Sequence, residues 1–159
     1  MIQRLNTIQY GGFWQRLKAV AIDDLIFLPV IVLIHFFRPD DYGLWEWLAS
    51  IVVLFIYMGF VYVWGATPGK KIIGLKIVNI NGDRLSMTSV ILRSAPELLY
   101  TLGLGVASMI TFIDAQYAMN SVFFALAVWL VFDMLSLLRS PQKRSLHDKL
   151  AGTMVLVAK

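Results

Sequence analysis

Among the ionisable residues in or beside long apolar runs, Arg16, Asp23, Asp24, Arg93, Glu97 and Asp133 could form one cluster. In hydrocarbon each such charge costs about 2.5–3.5 kcal/mol on insertion scales, so each needs a partner or a task. Arg16 and Asp23 are seven residues apart, two helical turns, and share a helix face. That spacing places Asp23 about 10 Å deeper than Arg16. Asp133 stands six residues before Arg139, so it reaches about 9 Å from the same side. Arg93 and Glu97 form an i,i+4 pair, and Ser94-Ala95-Pro96-Glu97 has the form of a capping box, where a helix would begin or restart. Pro29 lacks the N–H that would bond the carbonyl of Leu25, leaving that oxygen beside Asp24 for an ion or water.

Two arginines against four carboxylates make the expected cluster net negative. Two chemistries fit it. In one, Arg16 or Arg93 neutralises the acids and the network holds helices together. In the other, the surplus negative charge takes up a proton or a cation.

Other motifs do not carry chemistry. Gly65-Ala66-Thr67-Pro68-Gly69-Lys70-Lys71 superficially matches a phosphate loop, but the glycines are one residue too close and Lys71 stands where Ser or Thr should hold magnesium. It reads as a helix terminus and turn. Asn79-Ile80-Asn81-Gly82-Asp83 is not a calcium loop, because its glycine comes too early and no Glu closes it. His35 and His147 have no second ligand at helical spacing, so no metal site is expected. There is no cysteine and no placeable Ser/His/Asp set. An enzyme is the least supported class, and no cofactor is implied.

The elements that must position these charges are apolar. The chain is 58% hydrophobic and 15% charged, with a mean hydropathy of +0.71, against roughly 45–50% and 25% in soluble domains. Runs near 20 residues suit a ~30 Å hydrocarbon core. The expected spans are 17–37, 44–64, 96–113 and 117–138, in one domain covering 1–159. Trp45 and Trp47 at one end of the second run, with Tyr62 and Trp64 at the other, have the character of interfacial belts. The first run is not read as a signal peptide: adjacent carboxylates sit inside it and no small-x-small site follows Phe37.

With both termini on one side, that side receives Arg4, Arg16, Lys18, Lys70, Lys71, Lys76, Arg84, Arg93, Arg139, Lys143, Arg144, Lys149 and Lys159; the other receives Arg38 alone. By the positive-inside rule both termini are cytoplasmic. This placement explains the basic charge through topology and anionic lipid, without nucleic acid. A three-span chain, with 96–113 failing to cross, would put the C-terminal basic run outside. The lipid bilayer is the expected partner.

The cytoplasmic parts are then 65–95 and 139–159. Ile72–Val78 is rich in β-branched residues and Asn81-Gly82-Asp83 signals a turn. A short hairpin is expected, returning through Arg84-Leu85-Ser86. Thr153–Val157 is a further strand that could pair with Ile72–Val78 and cover an edge. Ile2, Leu5 and Ile8 suit an interfacial segment, broken by Gly11-Gly12. Gly59, Gly103 and Gly105 could allow close helix contact, including contact between copies in a homo-oligomer.

Gly12-Phe13-Trp14-Gln15-Arg16-Leu17 followed by Ile22-Asp23-Asp24 resembles the opening of the RDD family. Thr67–Val78 resembles its second block, and Ser145–Thr153 its closing block. Arg93 also fits the family's pattern. The resemblance covers nearly the whole chain. It implies a small membrane protein whose named residues are Arg16, Asp23 and Asp24, with no assigned biochemical role beyond proposed Na⁺/H⁺ exchange in some members. Asp133 and Glu97 come from the depth arithmetic alone. The expectation is therefore an all-α membrane protein, a four-transmembrane-helix bundle with a small cytoplasmic β-hairpin or strand element, in the cytoplasmic (inner) membrane. It would transport Na⁺ or H⁺, or else serve as a non-catalytic scaffold or accessory subunit whose charges are structural.

Overall fold

The computed structural model of the protein describes residues 9–36, 44–109 and 115–158. The expected interfacial segment around Ile2, Leu5 and Ile8 lies outside these residues, as do Arg38 and the end of the third expected span. The chain runs α1 (Phe13–Phe36), α2 (Leu44–Trp64), α3 (Pro68–Ile72), β1 (Leu75–Asn79), α4 (Met87–Arg93), α5 (Ala95–Met109), α6 (Ala115–Arg139), α7 (Leu146–Leu150) and β2 (Thr153–Val157). It is mostly helical, with one small antiparallel sheet.

The long helices match the apolar runs. Helix α1 begins directly after Gly11-Gly12, which are not helical. Pro29 lies within α1. Two stretches are long and apolar enough to cross a bilayer, Trp47–Ile72 and Asn120–Arg139. The first contains the turn at Gly65–Thr67, so its continuous helix stops at Trp64. Only 11% and 6% of the apolar windows in these stretches are buried, whereas the core helix of a soluble domain would be mostly covered. Leu25, Val63 and Phe124 are among the large apolar side chains on the outside.

A compact cap closes one end of the helices. Leu75 and Ile77 on β1 and Val155 on β2 are fully buried, and Ala19, Val61, Leu85 and Val90 pack with them. The strands pair antiparallel, with Ile77 opposite Val155. This is the pairing expected between the two cytoplasmic segments. The expected hairpin does not form. The Gly82 N–H does bond back to the Asn79 carbonyl at 2.8 Å, making the turn. Beyond it, Ser86 caps α4 instead of starting a strand, its hydroxyl accepting the Ser89 N–H at 3.1 Å. Strand β1 is also shorter than expected, because Ile72 ends α3 and Gly74 turns the chain at φ +74°. Both outer edges of the sheet are covered. The Gly65 carbonyl accepts from Ile77 N–H at 2.6 Å beside β1, and the Gln9 carbonyl and Gly11 N–H bond Val157 and Val155 beside β2.

Two glycines permit close approaches. A Cβ at Gly105 would fall 2.3 Å from the Trp47 indole nitrogen, so α5 meets α2 there. That indole donates to the Thr101 carbonyl at 2.9 Å. Trp47 therefore joins two helices. Gly103 has Val122 in ordinary contact, while Gly59 has nothing near it. A Cβ at Gly69 would meet the Ala19 carbonyl oxygen at 2.1 Å. Gly69→Ala is expected to force α3 off α1 and to cost at least about 1–3 kcal/mol, read as a lower thermal unfolding midpoint in detergent. An unchanged midpoint would refute this contact.

Candidate functional site

The charges gather where the long helices enter the cap, around a residue outside the expected cluster. Asp148 lies in the first turn of α7, and its side chain is wholly buried. Arg16, on the first turn of α1, donates to Asp148 Oδ2 at 2.6 Å. Arg93, the last residue of α4, donates to Asp148 Oδ1. The Ser145 backbone N–H adds a third bond at 3.2 Å. Further guanidinium donors of both residues are also used. Arg16 reaches the Gly11 carbonyl at 3.0 Å and the Lys143 carbonyl at 2.6 Å. Arg93 reaches Thr153 Oγ1 at 2.9 Å. Burial alone would raise the Asp148 carboxyl, but the Arg93 and Arg16 guanidiniums hold it well below the usual carboxylate range.

Neither arginine therefore neutralises the acids assigned to it by spacing. Asp23 has different partners. Thr67 is the N-cap of α3, with Pro68 at the first helical position. Its hydroxyl donates to Asp23 Oδ2 at 2.6 Å, and the Gly69 N–H donates to Asp23 Oδ1 at 2.6 Å. Asp23 thus latches α1 to the start of α3 with two hydrogen bonds and, among the described residues, no cation in ion-pair contact.

Asp133 on α6 receives the His147 backbone N–H at 3.1 Å and faces His147 Nδ1 at 2.9 Å. The other ring nitrogen, Nε2, lies 3.2 Å from Arg93 Nη2. A guanidinium cannot accept a hydrogen bond, so Nε2 must accept and Nδ1 must carry the proton to Asp133. A chain of polar contacts then runs Asp148, Arg93, His147, Asp133, tying α6 to the cap. His147 is not isolated, contrary to the reading from helical spacing. Its neighbours come from other elements.

Asp24 and Glu97 are the two predicted residues left apart. Both side chains are exposed and, among the described residues, neither makes an ion pair. The expected Arg93–Glu97 pair does not form, because Arg93 turns to Asp148. Both acids line a cavity of about 880 Å³ between α1, α2 and α6, as do Arg16, Asp23, Arg93 and Asp133. The helix does restart near Ser94, as expected, with α5 following α4 after that residue.

Lys70 also lines the cavity, and spacing did not mark it. It is buried in α3, with Nζ 3.4 Å from the Tyr57 hydroxyl. Burial pushes its ammonium down to about 8, with Arg93 adding to the shift and Asp23 opposing it. Among the described residues, no three His, Asp or Glu side chains converge as a metal cage.

Apolar helices long enough to span a membrane, with a buried ionic knot where they meet a small polar cap, define a helical membrane-type protein. The RDD family profile matches residues 10–152, and the chain belongs to that family. It is 28% identical to an uncharacterized protein, YckC, of Bacillus subtilis strain 168, over 97% of this chain and 89% of that one. No solved structure matches.

Asp148→Asn would leave two buried guanidiniums without their counter-charge and should cost about 3–5 kcal/mol. The sign with pH follows from the depressed carboxyl. Its stabilising contribution is complete above the ordinary Asp value near ~4 and is lost as pH falls toward the lower folded value. Unfolding midpoints measured from about pH 7 to about pH 3 should therefore fall in the native protein, with a flatter acid limb in the variant. Parallel limbs would refute the assignment.

Proposed function

We propose that the protein is a multi-pass protein of the cytoplasmic membrane, with four spans and both termini in the cytoplasm, that admits a sodium ion or a proton to the cavity between its helices. The cap carries Lys70, Lys71, Lys76, Arg84, Arg93, Lys143, Arg144 and Lys149, which favours that face as cytoplasmic. The single observation behind the ion reading is the pair Asp24 and Glu97: two carboxylates without an ion pair among the described residues, lining one cavity with Asp23 and Asp133.

Arg16, Arg93, Lys70, Asp23, Asp24, Glu97, Asp133 and Asp148 together hold three cations against five carboxylates, so the region is net negative when His147 is neutral. Asp24 and Glu97 would carry the exchange, while Arg16, Arg93, Asp23 and Asp133 hold the helices. Four spans are few for an alternating-access carrier, so the working unit would be a homo-oligomer.

The scaffold reading has its own support: Arg16, Arg93, Asp23 and Asp133 each have protein partners. Proteoliposomes with an imposed sodium or proton gradient separate the two. The ion reading expects flux in the native protein and a loss of roughly tenfold or more in Asp24→Asn/Glu97→Gln, with the unfolding midpoint kept. Native flux without effect of the double substitution removes these residues from the path. No native flux for either ion leaves the scaffold reading.

A further inference from the structure

The cavity contains a group that the cation reading does not use. Lys70 is only 6% exposed, yet among the described residues no carboxylate lies within ion-pair distance of it. Its Nζ has one long contact, to the Tyr57 hydroxyl, and lies 5.8 Å from the centre of the Tyr57 ring. A buried ammonium so poorly compensated favours an anionic group beside it. Asp24 and Glu97 line the same cavity, and among the described residues neither makes an ion pair. The cavity therefore presents a cation and two carboxylates that make no ion pair among the described residues.

The other end is mostly apolar. On α1 the lining passes from Asp23 and Asp24 to Phe27. On α2 it passes from Tyr57 back to Val53, and on α6 from Asp133 back to Trp129 and Leu126. Asp133 and Leu126 are seven residues apart, about 10 Å along the helix. Away from the cap the lining beyond these charges is mostly apolar, with Ser50 the exception, and Phe13, Leu17, Val20, Met134 and Leu137 add apolar wall on the cap side. A volume near 880 Å³ falls within the ~300–1,000 Å³ typical of sites for organic ligands, far more than a bare ion fills.

We infer that the cavity binds a zwitterionic amphiphile: a phosphate at Lys70, an ammonium at Asp24 and Glu97, and a hydrocarbon chain between the apolar walls. A phospholipid with an ethanolamine headgroup has this chemistry. The inference does not depend on ion flux and can fail or hold separately from it.

The test titrates the full-length protein in detergent with dioleoylphosphatidylethanolamine, dioleoylphosphatidylglycerol, dioleoylglycerol and phosphoethanolamine, and reads bound ligand by native mass spectrometry. The ethanolamine lipid should bind most tightly. Lys70→Met should weaken it by about tenfold or more, with Lys70→Arg restoring it. Asp24→Asn/Glu97→Gln should weaken the ethanolamine lipid and leave the glycerol lipid unchanged. Equal binding of dioleoylglycerol, or no effect of Lys70→Met, overturns the inference. Phosphoethanolamine binding as tightly as the lipid overturns the amphiphile and assigns the site to a soluble phosphorylated amine. Should Lys70→Met fail to fold, Val53→Trp narrows the apolar end instead. Reduced lipid binding by that variant supports the inference, and undiminished binding overturns it.

Discussion

One buried carboxylate sets the arrangement of this protein. Asp148 has no exposed surface and needs counter-charge, which Arg16 supplies from near the start of the sequence and Arg93 from its middle. The bond from Arg16 closes a separation of 132 residues, and the bond from Arg93 one of 55. The three residues therefore join α1, α4 and α7 at one point. Burying one carboxylate between two guanidiniums is costly unless the remaining donors are also satisfied. The Gly11 and Lys143 carbonyls, Thr153 and His147 meet that requirement. The knot fixes the first turn of α1 against the cap, and Asp23, two turns further along, is then in place to accept from Thr67 and Gly69.

The two ends of the molecule place their apolar side chains differently. In the cap, Leu75, Ile77 and Val155 are buried, and each sheet edge is covered by backbone from another segment. This is the packing of a water-facing fold. Along α2 and α6 the apolar side chains point outward. Water would make such a surface unfavourable at about 25 cal/mol per Å² of exposed apolar area, whereas hydrocarbon removes that penalty. The ionic knot lies at the junction, where helices that gain little by burying apolar faces against one another need specific polar contacts to hold their positions.

The sequence made the local features legible and left the long-range pairings hidden. The apolar run 44–64 coincides with α2, and Gly11-Gly12 marks the start of α1. The pairing of the two strands β1 and β2 was also readable from their β-branched composition. The apparent hairpin failed because Asn81-Gly82 does encode a turn, while only tertiary context shows that Ser86 caps a helix beyond it. Trp47 resembled an interfacial anchor because indoles favour that zone, and its bond to Thr101 depends on the small residue at Gly105. Asp148 escaped notice for the same reason. Ser145 and Asp148 have the spacing of a capped helix start, and Asp148 does accept from the Ser145 N–H. Nothing in that local spacing reveals two arginines from distant helices. Lys70 looked like part of a surface turn until the placement of α3 against α1 buried it.

Asp23 and Asp24 show how adjacent identical residues acquire different roles. Successive residues on an α-helix are rotated by about 100°, so two neighbouring carboxylates cannot face the same partner. Asp23 points into α3 and is satisfied by a hydroxyl and a backbone N–H. Asp24 points past that contact, to the cavity and the surface. Had both been bound by protein donors, the acidic pair would have only a structural meaning. Had neither been bound, α1 would lose its hold on α3 and the cavity its wall. The latch at Asp23 is therefore what gives Asp24 a fixed position from which to meet a charge that the protein does not itself supply.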